Sequence, residues 1–147
     1  MLDIARHFEP PSAVKQLIDQ AAEYKINTLH LHVSDDQGFR IAMNGFPNLT
    51  QIGSQGSVGT GGRTMDPGGF WTQDEYRSVV AYAAAHFMTV VPDHLGGDEV
   101  PSTLLSQDRY AALVNREGGV VNGHGKTVMG WAEIAGSGTA LREGSVA

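Results

Sequence analysis

Cysteine is absent from this 147-residue chain, which excludes disulfides, thiolate zinc ligands and a cysteine nucleophile. Basic residues are few: 10 Lys and Arg stand against 16 Asp and Glu, for a net charge of −6. This acidic balance argues against a nucleic acid or an anionic membrane as partner. No apolar run approaches the roughly 18 residues of a membrane span, and the first residues lack the features of a signal peptide. We therefore expect a cytoplasmic protein, or a secreted or periplasmic one if a leader was removed.

The composition is that of a globular domain, with 41% hydrophobic and 18% charged residues. Many of the 19 glycines fall between Gly53 and Gly69, within a connection over residues 37–70 that is rich in turn residues. A connection of that length in a compact domain is typically functional or mobile. We expect one folded domain over residues 1–136 and a frayed tail over 137–147.

The first third of the chain predicts a strand, a helix and a second strand. Residues 2–5 read as a short buried strand, and apolar residues at helical spacing predict a helix over 12–25, capped by Ser12. Residues 28–33 alternate in polarity, which is typical of a strand. A strand, a helix and a strand in this order predict a right-handed parallel unit.

The remainder of the chain continues the alternation. Thr72 begins a capping box before a helix over 73–86, and residues 88–91 form the next predicted strand. A helix from residue 101 to about 122 and a strand over 127–131 follow. This order predicts an α/β domain with a parallel sheet.

Polar or aromatic residues follow each predicted strand at its carboxyl end. They are Arg6 after the first strand, Asp35 after the second, Asp98 and Glu99 after the third, and Trp131 at the end of the last. The carboxyl ends of parallel strands lie at one edge of the sheet, where α/β proteins build their sites. We therefore expect these side chains to converge.

Asp98 and Glu99 are the sharpest single feature, because neighbouring side chains of a regular strand point to opposite faces. Gly96 and Gly97 give the backbone the freedom to turn both carboxylates into one pocket. Two close carboxylates drive their pKa values apart, which leaves one of them neutral as a general acid. The alternative is a solvated acidic turn at the start of a helix.

The other candidates also have structural alternatives. Asp35 suits a plain turn, and His30 and His32 on one strand face suit either metal binding or packing. Arg6 suits either a surface ion pair or a clamp on an oxygen-rich ligand. Trp131 suits either a core position or a pocket wall that stacks on a sugar.

Several segments, met in this order, resemble the family 20 glycoside hydrolases, the β-N-acetylhexosaminidases. Among them are LHLHVSDDQGFR at 29–40, HLGGDE at 94–99 and HGKTVMGW at 124–131. Further matching segments are 1–8, 24–28, 46–53 and 90–92. The resemblance extends to about residue 136 and identifies 1–136 as a shortened catalytic domain.

The resemblance implies retaining hydrolysis of terminal β-linked N-acetylglucosamine or N-acetylgalactosamine, with the substrate's 2-acetamido group as nucleophile. Glu99 is implied as the general acid, and Asp98 as the residue that orients and stabilises the acetamido group. Neither a cofactor nor a metal is implied. The implied partner is a glycan or chito-oligosaccharide that contains N-acetylhexosamine.

The same resemblance implies roles for the surrounding side chains. Arg6 would hold hydroxyls of the terminal sugar, Asp35 would support the acid, and Trp131 would form a wall of the acetamide pocket. His32 and His94 are implied as supporting residues.

The family fold is a (β/α)8 barrel, which takes about 250 residues. This chain accounts for about four parallel strands with flanking helices, a partial barrel of the TIM type. Residues 88–95 then act as one strand leading to the carboxylate pair, because too few residues remain for a crossover. Bare sheet edges favour a homo-oligomer in which two copies complete the barrel. The alternative function is a non-catalytic N-acetylhexosamine-binding remnant.

Overall fold

A computed structural model describes residues 1–35, 37–55, 67–93, 112, 115–116 and 119–124. The chain forms two compact units, Met1–His94 and Leu95–Ala147. In the second unit, residues 119–123 are helical. In the first, the elements in chain order are β1 (Leu2–Asp3), α1 (Pro11–Glu23), β2 (Thr28–His32), β3 (Ser34–Asp35), β4 (Gly38–Phe39), α2 (Pro47–Gln51), α3 (Gln73–Ala85) and β5 (Thr89–Asp93).

The main sheet has three parallel strands in the order β1-β2-β5. Helix α1 connects β1 to β2, as the predicted strand, helix and strand require. The predicted parallel unit is therefore confirmed, and so is the α/β class. The strand predicted over 127–131 lies outside the described residues, so the partial barrel of about four strands stays a prediction.

One face of the sheet carries the core. Leu29 and Leu31 of β2 are buried and belong to the same cluster as Val14 and Ile18 of α1 and Val79 of α3. Side chains alternate along a strand, so His30 and His32 lie on the opposite face. The fold thus separates an apolar face, which the helices cover, from a polar face that is available for chemistry.

The start of α1 corrects the prediction that Ser12 caps this helix. The helix begins one residue earlier, at Pro11, and its N-cap is Pro10, which makes no side-chain capping bond. Proline fits the first helical position because its φ is already helical and its missing N–H has no partner there. Pro10 is extended, with ψ 156°, because a residue that precedes proline is restricted to that region.

The start of α3 confirms the predicted capping box. The Thr72 hydroxyl accepts a hydrogen bond from the Glu75 N–H at 3.2 Å, and the Glu75 carboxylate accepts one from the Thr72 N–H at 2.7 Å. Asp74 adds a second negative charge to the first turn, where the helix dipole favours it. The helix ends at Ala85, one residue before the predicted end.

The connection over 37–70 has more regular structure than predicted. It contributes β4, which pairs antiparallel with β3, and the short helix α2. Pro47 occupies the first turn of α2, and Ile41 bridges to Trp71. The described parts of this connection therefore contain regular elements that the sequence did not predict.

Other predictions fall on parts of the chain without a description. They include most of the helix from residue 101, the strand over 127–131 and the tail over 137–147. The domain boundary at residue 136 also stays a prediction. Among the described residues, no helix is long and apolar enough to cross a membrane.

Candidate functional site

Three charged or titratable side chains form a row at the carboxyl ends of the parallel strands. The register places Asp3 of β1 opposite His32 of β2, and His32 opposite Asp93 of β5. Residues in parallel register share a face, so the two acids flank the histidine on the polar side of the sheet. Strand pairing alone therefore brings together residues that are far apart in sequence.

His32 is the centre of this row, with the ring almost fully buried. Its Nδ1 lies 3.2 Å from Asp93 Oδ2, and its Nε2 lies 3.1 Å from Asp35 Oδ2. Burial by itself would lower the pKa of His32. The hydrogen bonds to Asp35 and Asp93 and the negative charges of Asp3 and Asp93 outweigh burial, and the pKa rises above its usual 6.5.

Arg6 extends the row towards solvent. Its Nη2 lies 2.5 Å from Asp35 Oδ2, and its Nη1 lies 3.0 Å from Asp3 Oδ2. The Arg6 side chain is 54% exposed, whereas the Asp35 side chain is 3% exposed. An ion pair was one of the two interpretations of Arg6, and it is present. About half of the Arg6 side chain is nevertheless exposed to solvent at this edge of the sheet.

His30 joins the same cluster through Asp93, since its Nε2 lies 3.3 Å from Asp93 Oδ2. One carboxylate oxygen thus contacts both histidines. Within the described residues, no group of three or more His, Asp or Glu side chains is arranged to hold a metal ion. In the described part of the chain, His30 and His32 both contact the carboxylate of Asp93.

A second arginine, Arg40, holds the backbone that carries Arg6. It is fully buried, and its guanidinium donates to the carbonyl of Ala5 from Nη2 at 2.8 Å. Its Nη1 donates to the carbonyls of Ser54 and Gly69, each at 3.1 Å. One rigid fork therefore ties the residue before Arg6 to two segments of the 37–70 connection.

The structure brings together three of the predicted site residues, Arg6, Asp35 and His32. The other four are Asp98, Glu99, His94 and Trp131, and they lie outside the described residues. One interpretation of Asp35 was a residue of a plain turn, and the other was a residue of the site. In the structure Asp35 both borders a tight hairpin and makes ionic contacts. It pairs with Gly38 in the β3–β4 ladder, while its carboxylate contacts Arg6 and His32.

Sequence reasoning missed Asp3, Asp93 and the holding role of Arg40. The signal for Asp93 was its place at the carboxyl end of a parallel strand, the same rule that selected Arg6 and Asp35. It was overlooked because the strand was expected to continue to residue 95. Arg40 offered no comparable signal, since only tertiary structure shows that its charge is buried.

The arrangement is suited to binding a ligand rich in hydroxyl groups. An exposed guanidinium provides several N–H donors in fixed directions, and a buried carboxylate behind it provides acceptors. The positive charge of Arg6 offsets part of the cost of burying the Asp35 carboxylate. The raised pKa of His32 favours a second positive charge beside the same carboxylate. This edge of the sheet therefore carries an Arg–Asp ion pair whose arginine is exposed and whose aspartate is buried.

Comparison with known sequences identifies the family of the chain. The model of the glycosyl hydrolase family 20 catalytic domain matches residues 1–94. A β-hexosaminidase of Vibrio furnissii is 46% identical over an alignment of 102 positions that covers 63% of this chain and 16% of that protein. A β-N-acetylhexosaminidase of Cellulomonas fimi is 30% identical over an alignment that covers 99% of this chain and 40% of that protein. That alignment is 209 positions long, so the relative carries residues without a counterpart here.

Solved structures of proteins with similar names also match this chain. The N-acetyl-β-hexosaminidase of Streptomyces plicatus, in complex with Thio-NAglucal, matches with a TM-score of 0.75 and 31% identity. The match covers 99% of this chain and 40% of that structure. This chain therefore spans less than half the length of these relatives. The family model matches residues 1–94, and a relative at 30% identity aligns with 99% of this chain. The chain therefore belongs to glycosyl hydrolase family 20.

Proposed function

We propose that this chain hydrolyses terminal β-linked N-acetylglucosamine or N-acetylgalactosamine with retention of configuration. Its relatives include proteins named β-hexosaminidase and a Vibrio harveyi protein named N,N'-diacetylchitobiase. We infer from these names that the substrates are chito-oligosaccharides and related glycans. The Streptomyces plicatus neighbour was solved with a thio-sugar ligand. These names support the substrate class.

The contact between Arg6 and Asp35 is the observation that supports this proposal most directly. Arg6 is half exposed, yet Asp35 and Asp3 anchor it from behind. An arginine held in this way loses little further conformational entropy when it binds a ligand. We assign the Arg6 guanidinium to hydroxyls of the terminal sugar, and we assign to Asp35 the orientation of Arg6 and support of the acid.

The proposed reaction uses the substrate's own acetamido group. Its carbonyl oxygen forms a bond to the anomeric carbon, while the glycosidic bond breaks and Glu99 gives its proton to the leaving oxygen. Asp98 stabilises the positive charge on the resulting oxazolinium ring. The Glu99 carboxylate then takes a proton from water, which attacks the anomeric carbon and regenerates the acetamide. An intramolecular nucleophile is fast because little orientational entropy remains to be lost.

The remaining predicted side chains complete this site. Trp131 would form one wall of the acetamide pocket, since an aromatic ring packs well on an apolar surface. His94 would act as a supporting residue next to the acidic pair. A homo-oligomer in which two copies complete the barrel would cover the bare strand edges and exclude water from the reaction.

The decisive experiment is hydrolysis of an aryl N-acetylglucosaminide by the parent chain and by Glu99→Gln. We expect the substitution to remove nearly all turnover, because the amide cannot donate the required proton. Glu23→Gln at the exposed end of α1 is the matched control and should retain activity. Equal rates in the parent and in Glu99→Gln would refute the assigned acid.

A second candidate function is binding of N-acetylhexosamine without hydrolysis. It is favoured by the small share of its relatives that the chain matches, since the alignment covers 40% of the Cellulomonas fimi protein. Calorimetric binding of an oxazoline-mimicking thiazoline, without turnover of the aryl substrate, would select this function. Sedimentation of the same sample tests the oligomer, and a monodisperse monomer would exclude it.

A further inference from the structure

The imidazole of His32 lies between two carboxylates that belong to different strands. Asp35 of β3 contacts Nε2 and Asp93 of β5 contacts Nδ1, in each case through Oδ2. Both acids have further partners, since Asp35 also contacts Arg6 and Asp93 also contacts His30. The ring therefore joins the Arg6–Asp35 pair to the main sheet.

This geometry requires a specific charge on the ring. A neutral imidazole has one N–H and one lone pair, so one of the two carboxylates would face a lone pair. An imidazolium donates to both acids at once. The described titratable and charged groups that face it are Asp3 on β1, Asp35 on β3, Asp93 on β5, His30 on β2, and Arg6 behind Asp35.

We propose that His32 is a positioning residue for the sugar-binding pair: as an imidazolium it holds the Asp35 carboxylate against Arg6, so that one proton on a buried ring sets the geometry of the Arg6 guanidinium. The consequence for sugar affinity rests on the proposed function. The positioning itself does not, because it concerns three residues of the ligand-free chain.

The direction of the pH effect follows from the neighbours of the ring. The hydrogen-bonding carboxylates hold the proton on His32 and keep its pKa above 6.5, although burial opposes them. The positioned state is therefore populated below the raised pKa and is lost as the pH rises through it. Above that point, a neutral ring can donate to only one of the two acids, and the hold of His32 on the Asp35 carboxylate weakens.

The direct test uses nitrogen NMR on the ligand-free chain. We expect both ring nitrogens of His32 to be protonated at about pH 6, with a midpoint above 6.5. The Arg6 Nε–H resonance should shift with the same midpoint. In His32→Gln that shift should disappear, while in His30→Gln it should persist, because the ring of His30 contacts Asp93 and not the oxygen that Asp35 shares with Arg6 and His32.

Two results would overturn the proposal: a ring that carries a single proton throughout pH 5–7, or an Arg6 titration that is the same in His32→Gln as in the parent. If His32→Gln does not fold, Asp93→Asn gives an independent reading. Removal of that charge should lower the His32 midpoint, and an unchanged midpoint contradicts the bridging geometry.

Thiazoline affinity supplies the functional arm. For the parent, we expect a loss of about tenfold between pH 6 and a pH well above the His32 midpoint, the size of one hydrogen bond to a charged group. His32→Gln should bind weakly at both pH values. If the parent binds no sugar at any pH, the proposed function fails, whereas the NMR titration still decides the role of His32.

Discussion

The guanidinium of Arg40 lies directly against Gly38, so that a Cβ built on this glycine would overlap Cζ, Nε and Nη2 of the arginine. Arg40 is buried and donates hydrogen bonds to the backbone carbonyls of Ile4, Ala5, Ser54 and Gly69, which fix its position. Neither partner can move cheaply. The glycine is therefore required by the close approach of a buried cation to the β3–β4 hairpin.

Gly38→Ala should lower the free energy of unfolding by about 1–3 kcal/mol, the usual cost of inserting a methyl group into a filled space. Chemical denaturation of the parent and the variant measures the difference. Gly119→Ala is the matched control, since an added Cβ there meets no atom within 4 Å. Because Gly119 is helical, that control should stabilise its helix by up to about 1 kcal/mol. Equal effects of the two substitutions would contradict the contact.

The stability of the first unit should depend on pH through His32. Its folded pKa is raised above the usual 6.5, so the protonated ring contributes its full stabilisation below pH 6.5 and loses it as the pH rises through the folded pKa. Denaturation across about pH 5–9 should show this decline in the parent and a flatter profile in His32→Gln. His7→Gln at an exposed position should leave the parent profile intact. An identical decline in His32→Gln would assign the effect to another group.

Thr72→Ala should cost about 1 kcal/mol of stability, because it leaves the Glu75 N–H without its capping acceptor. Thermal or chemical denaturation measures the loss. Ser12→Ala in the first turn of α1 makes the same change in side chain where no capping bond is formed, and it should be close to neutral. A larger loss for Ser12→Ala than for Thr72→Ala would reverse the assignment of the two caps.

Phe87→Gly should stabilise the chain by up to about 1–2 kcal/mol. Phe87 follows the end of α3 with φ 57°, a left-handed conformation that costs about this much for a residue with a Cβ. The ring is 91% exposed, so little burial is lost. Tyr24→Gly, at an exposed aromatic with φ −87°, is the control and should destabilise, because glycine adds backbone entropy to the unfolded chain there. A loss of stability in Phe87→Gly would show that the ring has a packing role.

The regular elements were predictable where local signals were strong. The alternation over 28–33 and the capping box at Thr72 each marked an element boundary to within one residue. The cap of α1 was misplaced because proline at its first position replaced the expected serine. Strands β3 and β4, of two residues each, carry too few positions for a periodic pattern, and their pairing depends on tertiary contacts.

The candidate site was partly predictable for the same reason. Arg6 and Asp35 could be selected because they follow strands of a parallel sheet, and that rule does not require the partners to be known. Asp93 obeys the same rule but was passed over because the strand was expected to continue to residue 95. The ionic contacts among these residues could not be read from spacing, since they depend on which side-chain oxygens face the ring of His32.

The β1-α1-β2 unit, helix α3 with its capping box, the apolar face of β2 and the resemblance to family 20 are contained in the sequence alone, because each depends on local periodicity or on motifs that are contiguous in the chain. The burial of Arg40 against Gly38 and the sharing of His32 between Asp35 and Asp93 were decided by tertiary structure. Burial changes the energetic meaning of a charge, and no residue specifies by itself which carboxylates will surround it once the chain has folded.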